Sequence, residues 1–421
     1  MSEKTKVFVI SDHPNAPSGV GTQTRYFIEA LLKTGRYKVV CFGGAIKHPS
    51  YDPQFIEPYG EDFTVYPTDG YGTPEMVRSL LWTEKPDILW FMTDPRFYEW
   101  LWAIENEVRD IVPMVYYHVW DNWPAPMFNR KWYQSNDVIA CISKLTHDVV
   151  QEVAPEVESH YIPHAVNDSI FHIKPDHEIE KFRSDMFGEQ KDRVYFFWNN
   201  RNAKRKLSGS VLWWFNEFAE EVGPDNVCLV MHTNPKDKHG QDLLAMLADL
   251  DADDGRVKIS RNVMTQQGLA ALYNAMDCTI NISDAEGFGL ATLESLACGT
   301  PVIVNMTGGL QEQVTADGET FFGVGLEPVS KAIIGSQQVP YIYEDRVSGE
   351  QFKDALKKIY GMAPGSRKAL GFMGHQHIMR NYNFKVFEKT WVDLMDSIVE
   401  KYGSWEDRKP REKAWELLEI S

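Results

Sequence analysis

Residues Ser283–Gly309 read SDAEGFGLATLESLACGTPVIVNMTGG. Gly287 and Gly289 follow directly on Glu286, and a helix is expected to open near Leu290. A glycine-bearing loop that opens a helix leaves backbone N–H groups free to hold an anion, most often phosphate. Glu294 falls on the first turns of that helix, where a carboxylate can accept from two hydroxyls, as a ribose diol offers. Glu286 stays in the loop, placed for hydroxyls of a group attached to the phosphate. Taken singly, either glutamate reads more readily as a helix-end or surface residue. Apolar runs on both sides, Cys278–Asn281 and Pro301–Val304, make the segment the loop and helix of a β-α-β unit.

The alternation continues outward. Further strands are expected at Val194–Trp198, Val227–Met231 and Val257–Ile259, preceded by a polar, charged stretch, Lys174–Arg193. Beyond that stretch lie strands at Val7–Ile10, Tyr37–Phe42, Ile88–Met92, Met114–His118, Val138–Ile142 and His160–Ile162, with a helix from about Thr22 to Lys33. Such a pattern predicts parallel sheets covered by helices on both faces, with ligands at the carboxyl ends of the strands. The chain has 421 residues, and one core stops growing at about 250–300. Two doubly wound α/β domains joined near residues 175–192 follow. From Gly349 the pattern is helical, and EDRKPREKAWELLEI at the end reads as an amphipathic helix.

Composition narrows the function classes. Charged residues make up 24% and hydrophobic ones 43%, as in an ordinary globular protein. No apolar run is long enough to span a membrane, and the charged start MSEKTKVFVI is no secretory signal, so a cytoplasmic protein without integral membrane contact is expected. Five scattered cysteines suit a reduced compartment rather than disulfides or zinc. The net charge of −17 disfavours nucleic acid and anionic lipid in general.

As a whole, Glu286-Gly287-Phe288-Gly289, Glu294, Ala297, Gly299, Pro301-Val302-Ile303 and Gly308-Gly309 resemble the signature of the retaining glycosyltransferases of the GT-B fold, family 4 in particular. The resemblance implies two Rossmann-like domains facing across a cleft: an acceptor-side domain over 1–178, a nucleotide-sugar domain over 179–385, and helices over 386–421 that return to the first domain. It implies that Glu286 meets the transferred sugar, that Glu294 binds the ribose, and that Gly287, Phe288, Gly289 and Leu290 lie along the donor. WNNRNAKRKLSG is similar to the family's diphosphate-binding segment, which assigns Arg201 and Lys206 to the leaving diphosphate. Two cations there would serve without a metal. PSGVGTQTRYF resembles the glycine-rich first loop, with Gly19 and Gly21 close to phosphate or sugar. His118, at the end of VYYHVWDNWP, matches a histidine that meets the sugar; Asp121 would orient it or the acceptor. YIPHAVNDSIF reads as interdomain architecture.

The expected activity is transfer from a UDP- or GDP-sugar to a glycan or other small hydroxyl acceptor, with no cofactor or metal. Asp251-Ala252-Asp253 has the shape of a metal-binding D-x-D but sits in a charged turn, and His375 and His377 point to different faces of a helix. Six tryptophans (Trp90, Trp100, Trp102, Trp120, Trp123 and Trp132) could stack on sugars or on a flipped nucleobase. A DNA glycosyltransferase and a sugar-nucleotide epimerase are the alternatives.

Overall fold

The computed structural model describes residues 4–252 and 254–411. Eight strands form the first sheet: β1 (Thr5–Asp12), β2 (Tyr37–Gly44), β3 (Gln54–Ile56), β4 (Gly60–Pro67), β5 (Ile88–Thr93), β6 (Met114–His118), β7 (Val138–Cys141) and β8 (Glu158–Tyr161). Their order is β3-β4-β2-β1-β5-β6-β7-β8, parallel throughout except for β3 against β4. The second sheet contains β9 (Val194–Asn199), β10 (Val227–His232), β11 (Val257–Ser260), β12 (Cys278–Asn281), β13 (Val302–Asn305) and β14 (Gly323–Leu326). It is fully parallel, in the order β11-β10-β9-β12-β13-β14. Both orders reverse direction beside their first strand, and that switch point opens a crevice at the carboxyl ends.

Both faces of these sheets are covered. Val7 and Val9 of β1 pack into one cluster, Phe8 and Ile10 into another, and all four are fully buried. This two-sided burial is why the strands read as continuous apolar runs rather than alternating ones.

The chain crosses between the sheets over residues 162–175. Helix Asp176–Phe187, inside which the expected boundary at 178 falls, packs on helix Gln266–Ala275 of the second domain. Phe187 stacks on Tyr195 at 3.9 Å. At the other end, helix Phe384–Tyr402 returns to the first domain and lies along helix Gly19–Leu32. Its Trp391 is buried against Phe27, Trp90 and Tyr117, and Arg36 holds Asp396 with two bonds at 2.9 and 3.0 Å. The terminal amphipathic stretch lies outside the described residues from 412 onward, as does Asp253 of the D-x-D shape.

Strands β3, β4 and β14 have no counterpart in the sequence reading, and neither does a further hairpin. β15 (Ser330–Ile334) and β16 (Ile342–Arg346) form an antiparallel hairpin after β14. The hairpin leans on the first domain: Tyr343 N–H donates to the Trp123 carbonyl at 2.7 Å, and Asn122 Nδ2 donates to Asp345 Oδ2 at 2.7 Å. Asp345 also accepts from Thr307 at 2.7 Å, so one buried carboxylate ties both domains together. Among the described residues no helix is long and apolar enough to cross a membrane, and all five cysteines are buried and unpaired.

Candidate active site at the interdomain cleft

The loop after β12 and the turn after β9 meet at the centre of the cleft. Residues Lys204–Lys206 make a tight 3-10 turn, and Leu207 then takes a left-handed backbone (φ 54°) before helix Ser208–Val222 starts. That reversal, costly for a branched side chain, turns Lys206 inward. Its Nζ donates to Glu286 Oε2, and both side chains are buried. Burial alone would raise the Glu286 pKa, but Lys206 and Arg205 outweigh it and hold the carboxylate below its usual range. Burial and the Arg205 charge depress Lys206. Arg205 donates to the Ala285 carbonyl at 2.6 Å and lies 3.6 Å from Asp121 and 4.0 Å from Glu286.

The loops here interlock through glycine. Gly308 has φ +50°, and a Cβ on it would lie 1.7 Å from the Glu286 carbonyl oxygen. A Cβ on Gly287 would come within 2.9 Å of Asp121 Oδ1 in the first domain. Helix Leu290–Ala297 starts from Gly289, whose absent side chain offers no cap, so its first N–H groups have no side-chain acceptor. One turn on, Glu294 Oε2 accepts from the Tyr273 hydroxyl at 3.0 Å, and the Tyr273 hydroxyl in turn accepts from Asn199 Nδ2 at 2.8 Å. Burial pushes the Glu294 pKa up to about 7, against the pull of the Tyr273 bond.

The first domain contributes carboxylates from the ends of β1, β5 and β6. Asp12 accepts from Ser18 at 2.5 Å and from Tyr71 at 2.7 Å. Asp94 takes Arg96 through bonds of 2.9 and 2.7 Å, and Asp121 faces Arg205. The Arg205 charge persists because Asp121, Glu286 and Asp94 together overcome its burial. The cleft is therefore cationic on its second-domain side and acidic on its first-domain side.

Not every expected residue reaches this centre. His118 is fully buried: its Nδ1 lies 3.1 Å from the Tyr116 hydroxyl, its Nε2 2.7 Å from that of Tyr133, and burial pushes its pKa down to about 3. Tyr116, Trp120 and Tyr133 enclose its ring, which keeps no exposed surface. Arg201 is exposed and pairs with Asp237 at 2.8 Å, away from Lys206. Phe288 is buried edge-on to His164 and Tyr382 and packs the interior. Gly19 and Gly21 open the first-domain helix capped by Ser18, and Gly19 lies against Leu290 across the cleft. Trp90, Trp102 and Trp120 are core residues; Trp100, Trp123 and Trp132 keep partial exposure. His375 and His377 bond the Ala297 and Glu312 carbonyls, and among the described residues no His, Cys, Asp and Glu cluster is arranged to hold a metal.

Sequence reasoning missed Asp12, Tyr71, Asp94, Arg205 and Tyr273 as site residues. The first and third were findable, since each directly ends an apolar strand of a parallel sheet. Arg205 was visible only as one of three adjacent cations, and Tyr273 lies on a helix distant in sequence.

Residues 210–333 match the family described as Glycosyl transferases group 1. The D-inositol 3-phosphate glycosyltransferase of Thermobispora bispora is 44% identical over 72 residues, which are 17% of this chain and 17% of that protein. The match thus spans well under two thirds of that relative. Sucrose-phosphate synthase from Thermosynechococcus elongatus superposes with a TM-score of 0.72 at 15% identity, covering 94% of this chain and 100% of that one. Anabaena HepE, solved with UDP and glucose, gives 0.69 at 14% identity over 94% and 100%. Likeness at such identity speaks to architecture alone, two facing Rossmann-like domains with a returning helix.

Proposed function

We propose that this chain, which has the GT-B fold and carries a glycosyl transferases group 1 domain, is a retaining glycosyltransferase. It moves a sugar from a nucleoside-diphosphate sugar to a hydroxyl of a glycan or other small acceptor. The observation that carries this reading is the buried Lys206–Glu286 pair, flanked by Arg205 and set before the uncapped N-terminus of helix Leu290–Ala297. Lys206, Arg205 and the helix amides would take the leaving diphosphate, so no metal is required. Arg201 can join them only by leaving Asp237. Glu286, freed from Lys206 as the diphosphate arrives, would accept from hydroxyls of the transferred sugar, and Glu294 from the ribose. Retention would run on one face, the leaving phosphate oxygen taking the acceptor proton. The relative named as a D-inositol 3-phosphate glycosyltransferase supports transfer to a hydroxyl of a small acceptor, and a UDP-sugar is the first donor to test. Nothing in the structure favours the DNA or epimerase readings, and the acidic first-domain wall opposes a polyanion.

The test is mass spectrometry of reactions of the full chain with a panel of UDP- and GDP-sugars, with and without pooled acceptors. Release of nucleoside diphosphate tied to a mass gain on one acceptor, undiminished by EDTA, is the expected result; NMR of the product should give the donor's anomeric configuration. Inversion, or activity lost to EDTA, would overturn those parts. No turnover together with no binding of any nucleotide sugar would overturn the whole.

A further inference from the structure

A second cavity lies beside the cleft, between the first domain and the hairpin. It has a volume of about 240 Å³ and is walled by Arg96, Glu99, Phe128, Trp132, Gln337 and Gln338, with Pro340. Resting on the reading above, we propose that this cavity binds an uncharged saccharide unit of the acceptor, next to the unit that receives the sugar.

The floor is aromatic and fixed. Trp132 lies flat on buried Trp102 at 5.4 Å with 16° between the planes, and Phe128 meets Tyr341 of the hairpin edge-on at 5.0 Å. A flat, partly exposed indole is suited to the apolar face of a sugar ring. The roof comes from the exposed turn between β15 and β16, where two adjacent glutamine amides offer donors and acceptors to hydroxyls. This roof is held in place by the Asn122–Asp345 and Tyr343–Trp123 bonds and by the Met127 N–H, which donates to the Tyr341 hydroxyl at 3.2 Å.

Charge selects the ligand class. Arg96, the cation of the lining, is already neutralised by Asp94, and Glu99 adds a carboxylate. A phosphate or sulfate would therefore meet a net negative wall. Arg96 and Asp94 also connect the cavity to the reaction centre, because Asp94 contributes to the field at Arg205 and Asp121 to that at Arg96. The volume is below the usual range for drug-sized ligands, about 300–1,000 Å³, and suits one sugar unit.

The experiment uses the full chain saturated with UDP and an array of neutral oligosaccharides beside their sulfated counterparts. Wild type is expected to retain neutral glycans. Trp132→Ala and the double variant Gln337→Ala/Gln338→Ala should each weaken retention about tenfold while UDP affinity stays unchanged. The double variant alters only an exposed turn and so keeps the fold even where Trp132→Ala unsettles it. Retention of no neutral glycan, equal retention by the double variant, or preference for the sulfated forms would overturn the subsite. Failure to bind UDP, and GDP in a parallel sample, would instead count against the glycosyltransferase reading.

Discussion

Two tyrosine hydroxyls occupy both ring nitrogens of His118. Its folded pKa of about 3 lies below the unfolded value of about 6.5. Between those values the unfolded chain binds more protons, so stability present above pH 6.5 is lost as the pH falls toward 3. His164, with a pKa of about 3 from burial, adds to the same acid limb. His118→Gln should therefore flatten the loss of denaturant stability between pH 7 and 5 while turnover persists; collapse of kcat in a folded variant would return His118 to the cleft. Glu294 runs the opposite way. Its pKa of about 7 means the free carboxyl ionises only as the pH rises through neutrality, and the ionised form is the better partner for ribose hydroxyls. Calorimetry with UDP-glucose, whose diphosphate does not titrate in this range, should show affinity rising from pH 6 to 8. Glu294→Gln should bind roughly 1–3 kcal/mol more weakly and without that rise. Equal, pH-independent affinities would remove Glu294 from the ribose.

Elements differ in how much of their reason is local. Helix Gly349–Gly361 begins where the sequence reading placed it, because Ser348 and Gln351 form a capping box there. Helix Phe384–Tyr402 has a local cap too, Asn383 accepting from the Val386 N–H at 3.0 Å, but its stability is tertiary. Trp391 fills a space bounded by Phe27, Trp90 and Tyr117 of the first domain. Trp391→Ala should cost about 3–5 kcal/mol, seen as a lower denaturant midpoint; a loss below about 1 kcal/mol would mean that the helix is not anchored there. Strand β14 and the hairpin escaped the sequence reading for a related reason. The GVGL of β14 has little strand preference of its own, and β13 supplies its partner. The hairpin's anchor, Asp345, finds its partner Asn122 more than 200 residues away.

For the molecule as a whole, the decisive feature is how closely the domains approach. Gly287→Ala would set a Cβ 2.9 Å from the Asp121 side-chain Oδ1 and 3.3 Å from the Trp120 carbonyl oxygen, both in the first domain. The variant should bind UDP as wild type does, show a larger radius of gyration by solution scattering, and lose most turnover, since closure excludes water and completes the site. An unchanged radius with full turnover would refute closure at this contact. Two domains and their parallel sheets were legible in the sequence, because apolar runs, glycine turns and helix caps act over a few residues. So was the placement of Glu286 in a glycine loop and of Glu294 on the helix that loop opens, since glycine turns and helix starts are local signals. The directions of side chains were not. Tyr116 and His118 share a strand face by geometry, yet only the fold brings Tyr133 onto the His118 ring and closes it off. Arg201 and Arg205 are both cations of one loop, and only the fold gives Asp237 to the first and Asp121 to the second. Charge and spacing are properties of the chain; which partner a long side chain meets depends on contacts between residues far apart in sequence, and those exist only once both sheets face each other.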